Sequence, residues 1–263
     1  MPFVTIEGTR IHYAADPDPP EPGEITLILI HGSGGSHEVW SHQLESMSGV
    51  FNVIAPDLPG HGLSEGEGEK EISRYVDWIR RFTKTLGAAP LIVGGHSMGG
   101  AVAMEFCRRP PRRLVGAVFI GTGARLRVQP DIFRFLEEED RDGFESIVRQ
   151  YGFSPKTDQS VKNAHFRIGR KTDPRVTIGD FRACDSFDCM ENLREIRVPS
   201  LVLVGADDRM TPPKYAQYLN DNLSDSRLEI ITNAGHMVML EQPGELNRKL
   251  EEFIAELMSP RSL

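Results

Sequence analysis

The sequence predicts an α/β fold: a mostly parallel sheet with helices on both faces, interrupted late in the chain by an inserted helical cap. Three observations carry that reading. Short, near-continuous apolar runs rich in Val, Ile and Leu, such as those at 25–30, 91–93 and 114–120, have the composition of strands buried on both faces. They alternate with stretches whose apolar residues recur at helical spacing, and strand–helix alternation with right-handed crossovers builds a parallel sheet. From about residue 124 to residue 193 the alternation stops, no buried strand is legible, and charged amphipathic helix takes over.

Taken in order, residues 3–6 and 10–13 flank Glu7-Gly8-Thr9 and read as a hairpin. A proline-rich loop at 16–23 leads to the strand at 25–30, which ends in His31-Gly32-Ser33-Gly34-Gly35-Ser36. A short amphipathic piece surrounds Trp40, and a strand at 51–55 runs into Pro56-Asp57-Leu58-Pro59-Gly60-His61-Gly62-Leu63-Ser64. Ile72, Tyr75, Val76, Ile79 and Phe82 fall at helical spacing, which predicts a helix over 72–86 stopped by Gly87. The apolar run from Leu91 meets Gly95-His96-Ser97-Met98-Gly99, and the Ala- and Met-rich helix that follows is halted by Pro110-Pro111. A strand at 114–120 closes this half.

Seven of the 13 phenylalanines then lie in the stretch 124–193: Phe133, Phe135, Phe144, Phe153, Phe166, Phe181 and Phe187. Most are expected to form the cap's own core, a few to line a pocket beneath it, and residues 131–150 read as amphipathic helix. Alternation resumes with a strand at 200–204, a helix opened by Pro212-Pro213, a last strand at 227–231 and a helix over 243–258. The expected division is a core of residues 1–123 and 194–263, with 124–193 as the cap.

Composition narrows the function. A formal net charge of −8 and a pI near 5.5 argue against a sequence-independent nucleic-acid binder, which would carry a basic face. Cys107, Cys184 and Cys189 are odd in number and lack metal-site spacing, so they read as free thiols in a reducing compartment. The first residues lack the basic start and apolar core of a signal peptide, and no apolar run approaches a membrane span. A cytoplasmic protein with no metal and no cofactor is the expectation.

The chemistry centres on Ser97. A serine on the sharp turn between a strand and a helix is strained, exposed, and placed beside free N–H groups of the helix N-terminus. Gly95 and Gly99 are expected because side chains there would clash where the helix folds back. A serine hydroxyl needs a base, and the base needs a group that fixes its tautomer. His236 lies in a loop just after the last strand, on the carboxyl edge of the sheet that also holds Ser97. His31 and His96 share that edge but sit inside their own turns, where they are expected to fix loop conformation. His12, His37, His42 and His165 have no comparable context. The loop after the strand at 200–204 offers Asp207 or Asp208 as the third group, and adjacent side chains cannot both reach one imidazole. Two backbone donors for a developing oxyanion are expected from Met98 and Ser33.

Together, His31-Gly32-Ser33-Gly34, the 57–64 segment, Gly95-His96-Ser97-Met98-Gly99-Gly100, Gly205-Ala206-Asp207-Asp208-Arg209-Met210-Thr211-Pro212 and Gly235-His236 resemble the α/β-hydrolase fold family over nearly the whole chain. They follow that family's order of Ser, Asp, His. The resemblance implies Asp208 rather than Asp207 as the acid, through Gly-X-X-Asp-X-X-X-Pro, and makes the 57–64 segment a structural turn. It also implies a serine hydrolase of the carboxylesterase, lipase or lactonase kind, and the phenylalanine-rich cap suggests an apolar lid and hence a small-molecule, largely apolar acyl substrate. Alternatives are a carbon–carbon hydrolase of ring-fission diketones on the same triad, against which His96 stands where such enzymes often carry asparagine, and a non-catalytic ligand-binding protein of this fold.

Overall fold

A computed structural model of the protein describes residues 2–47 and 51–259. Eight strands form one sheet: β1 (Phe3–Ile6), β2 (Thr9–Asp16), β3 (Thr26–Ile30), β4 (Asn52–Pro56), β5 (Leu91–His96), β6 (Leu114–Ile120), β7 (Ser200–Gly205) and β8 (Ser226–Ile231). Their order across the sheet is β1-β2-β4-β3-β5-β6-β7-β8. The first hairpin pairs antiparallel and β2 joins β4 antiparallel, while every pairing from β4 to β8 is parallel. Glu7 and Gly8 make the hairpin turn with φ of 50° and 87°, the left-handed pair a tight hairpin requires.

The period-2 alternation of the strands sorts side chains to two faces. Ile28, Ile30, Val93, Val202 and Val204 join one core; Leu27, Leu29, Ile92, Leu201 and Leu203 join the other. α1 (Ser41–Ser46), α2 (Ile72–Leu86) and α3 (Met98–Arg108) follow β3, β4 and β5 in turn. The five α2 residues at helical spacing are all buried, and each such side chain stabilises by roughly 1.5–3 kcal/mol. Gly87 ends α2 in the left-handed conformation, φ 65°.

Between β6 and β7 the described chain holds four α-helices, α4 (Pro130–Glu137), α5 (Arg141–Tyr151), α6 (Gln159–Gly169) and α7 (Pro174–Ser186), and a 3-10 turn at Met190–Glu195. An isolated antiparallel bridge between Arg125 and Asp188 ties the two ends of this insertion together. The helical stretch expected at 131–150 is broken in two. Glu139 takes φ 55°, which ends α4, and Asp140 then caps α5 by accepting from the Gly143 N–H at 2.9 Å. The phenylalanines are also shared out differently from expectation. Phe181 packs in a small cluster with Ile132 and Leu136, whereas Phe153 and Phe166 join one main core and Phe187 the other. The chain ends with α8 (Pro213–Asn222), α9 (Val238–Glu241) and α10 (Pro243–Met258). No helix among the described residues is long and apolar enough to cross a membrane.

Parallel registers bring the strand ends to one edge. Ile30 lies opposite Gly95, His96 opposite Ile120, Ile120 opposite Leu203, and Gly205 opposite Ile231. The loops after β3, β5, β7 and β8, which carry Ser33, Ser97, Asp208 and His236, therefore emerge side by side.

Candidate active site

Ser97 adopts φ 54° and ψ −115° between β5 and α3, a conformation that side chains rarely take and that the surroundings must hold in place. The hold is visible. The Ser97 N–H donates to the Ile120 carbonyl at 2.9 Å, and Thr122 Oγ1 donates to the Ser97 carbonyl at 2.9 Å. A Cβ on Gly95 would lie 2.1 Å from the Gly99 carbonyl oxygen, and one on Gly99 would lie 2.2 Å from that of Ile30. Both glycines are steric requirements of the turn, as the sequence suggested.

His236 is buried in the loop between β8 and α9. Its Nδ1 is 2.8 Å from Asp208 Oδ2. A carboxylate only accepts, so Nδ1 is the donor and the neutral ring presents its lone pair at Nε2. Asp208 is itself fixed: Oδ1 accepts from the N–H groups of Met210 (2.9 Å) and Thr211 (2.8 Å), and Oδ2 from Thr211 Oγ1 (2.9 Å). Asp207 turns elsewhere and accepts from Ser154 Oγ at 2.6 Å. The Glu241 carboxylate anchors the histidine loop by accepting from the N–H groups of Gly235 and Met237 at 2.9 and 3.1 Å.

His96 Nε2 donates to the His236 carbonyl at 2.9 Å, which fixes the backbone on which the imidazole stands. Burial, reinforced by the adjacent His236, holds the His96 pKa far below the ordinary histidine value, so the ring stays neutral. His31 donates from Nδ1 to the Gly32 carbonyl (2.9 Å) and accepts at Nε2 from the Leu58 N–H (3.1 Å), tying two edge loops. Burial and then the neighbouring His61 push its pKa down to about 4.

Met98 is the first residue of α3, so its N–H has no acceptor within the helix. Ser33 lines the same cavity as Ser97, its hydroxyl 3.6 Å from Cys184 Sγ. Next to it the Gly34 N–H donates to Asp180 Oδ2 at 2.8 Å. Asp180, on α7, also meets His61 Nε2 at 2.8 Å and Tyr75 Oη at 2.5 Å, and all three side chains are buried. Sequence reading missed this cluster. Its members lie 105 to 146 positions from Asp180 in the chain, and no local pattern links them.

A second carboxylate cluster has the spacing of a cation site: His12, His37 and Asp57. Its donors are already committed. Asp57 accepts from His12 Nδ1 at 2.7 Å, His37 Nδ1 at 2.9 Å and the N–H groups of His37 and Leu63 at 2.7 and 3.0 Å. Both Nδ1 atoms are directed at the carboxylate, the pattern of a hydrogen-bonded turn. Burial opposes the Asp57 charge, yet the hydrogen bonds from His12 and His37 outweigh it and hold the carboxyl far below the usual range. These bonds brace the 57–64 segment against His12 and His37.

Ser97, Ser33 and His236 line a cavity of about 290 Å³, whose walls include Phe181 and Ile132 from the insertion and, toward solvent, Arg127, Arg209 and Lys214. They also line a smaller inner cavity of about 60 Å³ bounded by Val39, Phe144, Val148 and Met237. Beyond it lies an apolar cavity of about 80 Å³ between the insertion and the 33–39 loop. His165, set aside in the sequence, borders both of the last two.

This is the arrangement of an alpha/beta hydrolase, and the chain belongs to that family: the profile of the alpha/beta hydrolase family matches residues 27–249. Among its relatives, the pimeloyl-[acyl-carrier protein] methyl ester esterase of Serratia marcescens is 25% identical over 249 residues, covering 89% of this chain and 95% of its own. A thermophilic esterase of known structure is 32% identical, with a TM-score of 0.82 over 97% of both chains. The enol-lactonase of Burkholderia xenovorans LB400 superposes with a TM-score of 0.88, over 97% of this chain and 100% of its own, at 22% identity, a likeness of fold.

Proposed function

We propose that the protein is a cofactor-independent serine hydrolase of carboxylic esters or related acyl bonds, working through Ser97, His236 and Asp208. One observation carries the reading: His236 Nδ1 is committed to Asp208 at 2.8 Å, while its ring shares a cavity with a serine held on a strained strand-to-helix turn. Hydrolysis of ester-type bonds also runs through the relatives, two of which are esterases by name and one an enol-lactonase.

In the proposed reaction His236 Nε2 takes the Ser97 proton as Oγ attacks the carbonyl carbon. The carbonyl oxygen gains charge, and the backbone N–H groups of Met98 and Ser33 stabilise it. Collapse of the tetrahedral adduct breaks the acyl–oxygen bond, and His236 delivers its proton to the departing alcohol. Water, deprotonated by the same ring, then attacks the acyl-enzyme and frees the acid and Ser97. Asp208 keeps the imidazole in one tautomer throughout and stabilises the transient imidazolium.

The helical insertion, residues 124–193, serves as the lid that shapes the acyl site. The inner cavity of about 60 Å³ and the adjoining apolar space of about 80 Å³ suit short to medium acyl chains. An apolar pocket discriminates by about 1–3 kcal/mol per methylene, so the preference is graded. A turnover series over p-nitrophenyl esters from acetate to decanoate tests the reading, together with fluorophosphonate labelling of wild type and Ser97→Ala. An optimum between four and eight carbons and labelling lost in Ser97→Ala support it. Normal ester turnover by a folded Ser97→Ala protein ends it.

A further inference from the structure

The inner cavity holds one polar side chain whose role nothing so far explains. Apart from Ser97, the polar side chains on its wall have partners: His96 donates to the His236 carbonyl, His236 holds Asp208, and Ser33 faces Cys184. His165, on α6, is different. Its Nδ1 is fully buried and bonded to nothing, and neither ring nitrogen pairs with a group among the described residues. Buried polar atoms are rarely left so, and each exception calls for a cause.

The ring is held firmly enough to have a purpose. Phe153 and Phe166 pack edge-on against it, with centroids 5.6 and 5.2 Å away. Burial, then the neighbouring His236, pushes its pKa down to about 4. Near neutral pH the imidazole is therefore uncharged and offers one N–H donor and one lone pair. Nε2, unlike Nδ1, is not closed off, and the polar groups it shares the cavity with are those of the candidate site, Ser97 and His236; Val39, Phe144, Val148, Phe181 and Met237 offer none with their side chains.

We infer that His165 is a specificity-determining residue that hydrogen-bonds a keto, hydroxyl or amide oxygen carried on the acyl chain, a few atoms from the scissile carbonyl. The inference rests on the ester-hydrolase reading above. Its position follows from size: a cavity of about 60 Å³ accepts only a few heavy atoms before the chain passes His165 into the apolar space beyond. A site built around a buried polar group rejects an analogue that leaves the group unpaired far more strongly than an apolar wall rejects a lost methylene. The substrate class is thus an oxygen-substituted acyl ester rather than a plain fatty ester.

The test compares kcat/KM for methyl hexanoate, methyl 3-oxohexanoate and methyl 5-oxohexanoate, read by proton release, in wild type, His165→Phe and His165→Asn. Wild type is expected to favour at least one oxo ester over the plain ester by about tenfold or more. His165→Phe, which keeps the aromatic packing, is expected to lower that ratio about tenfold, and His165→Asn, which keeps a donor and an acceptor, to restore part of it. A ratio unchanged in His165→Phe, a wild type without preference, or equal loss on all three esters overturns the inference. If wild type turns over plain esters and Ser97 is labelled by fluorophosphonate, such a result counts against the role of His165 alone. No turnover of any ester and no labelling remove the hydrolase reading and this inference with it.

Discussion

His236 meets Asp208 at 2.8 Å, and His61 meets Asp180 at 2.8 Å; both pairs are buried, and both lie close to the carboxyl edge of the sheet. The difference is in the second ring nitrogen. His61 Nδ1 faces the Pro59 carbonyl at 3.0 Å while Nε2 faces the carboxylate, so both nitrogens meet acceptors, the arrangement that favours the imidazolium. Burial alone would lower its pKa, but the charge and hydrogen bond of Asp180, with the Pro59 carbonyl, raise it above the ordinary value. His236 spends one nitrogen on Asp208, and its Nε2 bonds to nothing among the described residues. One pair is a clamp joining the 59–61 loop, α2, α7 and the Gly34 backbone. The other has a lone pair to use. A short histidine–aspartate contact is therefore not by itself a mark of catalysis; what sets the candidate pair apart is an uncommitted nitrogen on a ring that lines a cavity with Ser97.

The sharpest break of this comparison is at the imidazole of the open pair. His236→Ala is expected to lower kcat on p-nitrophenyl butyrate by a factor on the order of 10⁶, as loss of a base that acts as one unit with its nucleophile. A fall below a hundredfold would place the base elsewhere. Next in size is the choice between adjacent acids. Asp208→Asn leaves the shape but favours the wrong tautomer, at a cost of about 10⁴ in turnover, whereas Asp207→Asn, whose carboxylate holds Ser154, is expected to stay within about tenfold. Paired kinetics on one ester, with folding followed by circular dichroism, decide it, and the reverse ranking moves the acid to Asp207.

For the clamp the expected loss is in stability. His61→Ala leaves Asp180 buried without its cation, which costs about 3–5 kcal/mol, read from urea unfolding. A loss under about 1 kcal/mol would show that the pair is not a clamp. The smallest effect is the pH dependence. A histidine whose pKa is raised on folding stabilises fully below its unfolded value near 6.5 and loses that contribution as pH rises through its folded pKa. Across that window the wild-type stability should fall relative to His61→Ala with a slope of up to about 1.4 kcal/mol per pH unit. Parallel profiles for the two proteins would mean that His61 folds without its extra proton.

The same contrast explains what the sequence could be made to say. Elements defined by their own residues are legible to the residue: α2 at Ile72–Leu86, β6 at Leu114–Ile120 and α10 at Pro243–Met258. The turn around Ser97 is legible because sterics force glycine at Gly95 and Gly99. The break between α4 and α5 is not, since it depends on Glu139 adopting left-handed backbone without the glycine that usually marks it. Asp180 and His165 are invisible for another reason. Each owes its meaning to partners, or to the lack of them, that only the packing of the insertion on the sheet creates, and neither sits in a motif.

The turn at Ser97 also separates chemistry from architecture. An added carbon at Gly95 or Gly99 would lie 2.1 or 2.2 Å from backbone oxygen, where no rotation of a side chain can relieve it. The Ser97 side chain, by contrast, borders open cavity rather than packed core. The position behaves as a socket: what is plugged in can be exchanged for another short reactive group while the housing stays rigid. Variation can therefore reach a thiol or a carboxylate at 97 in one step without rebuilding the frame, but it cannot begin at either flank.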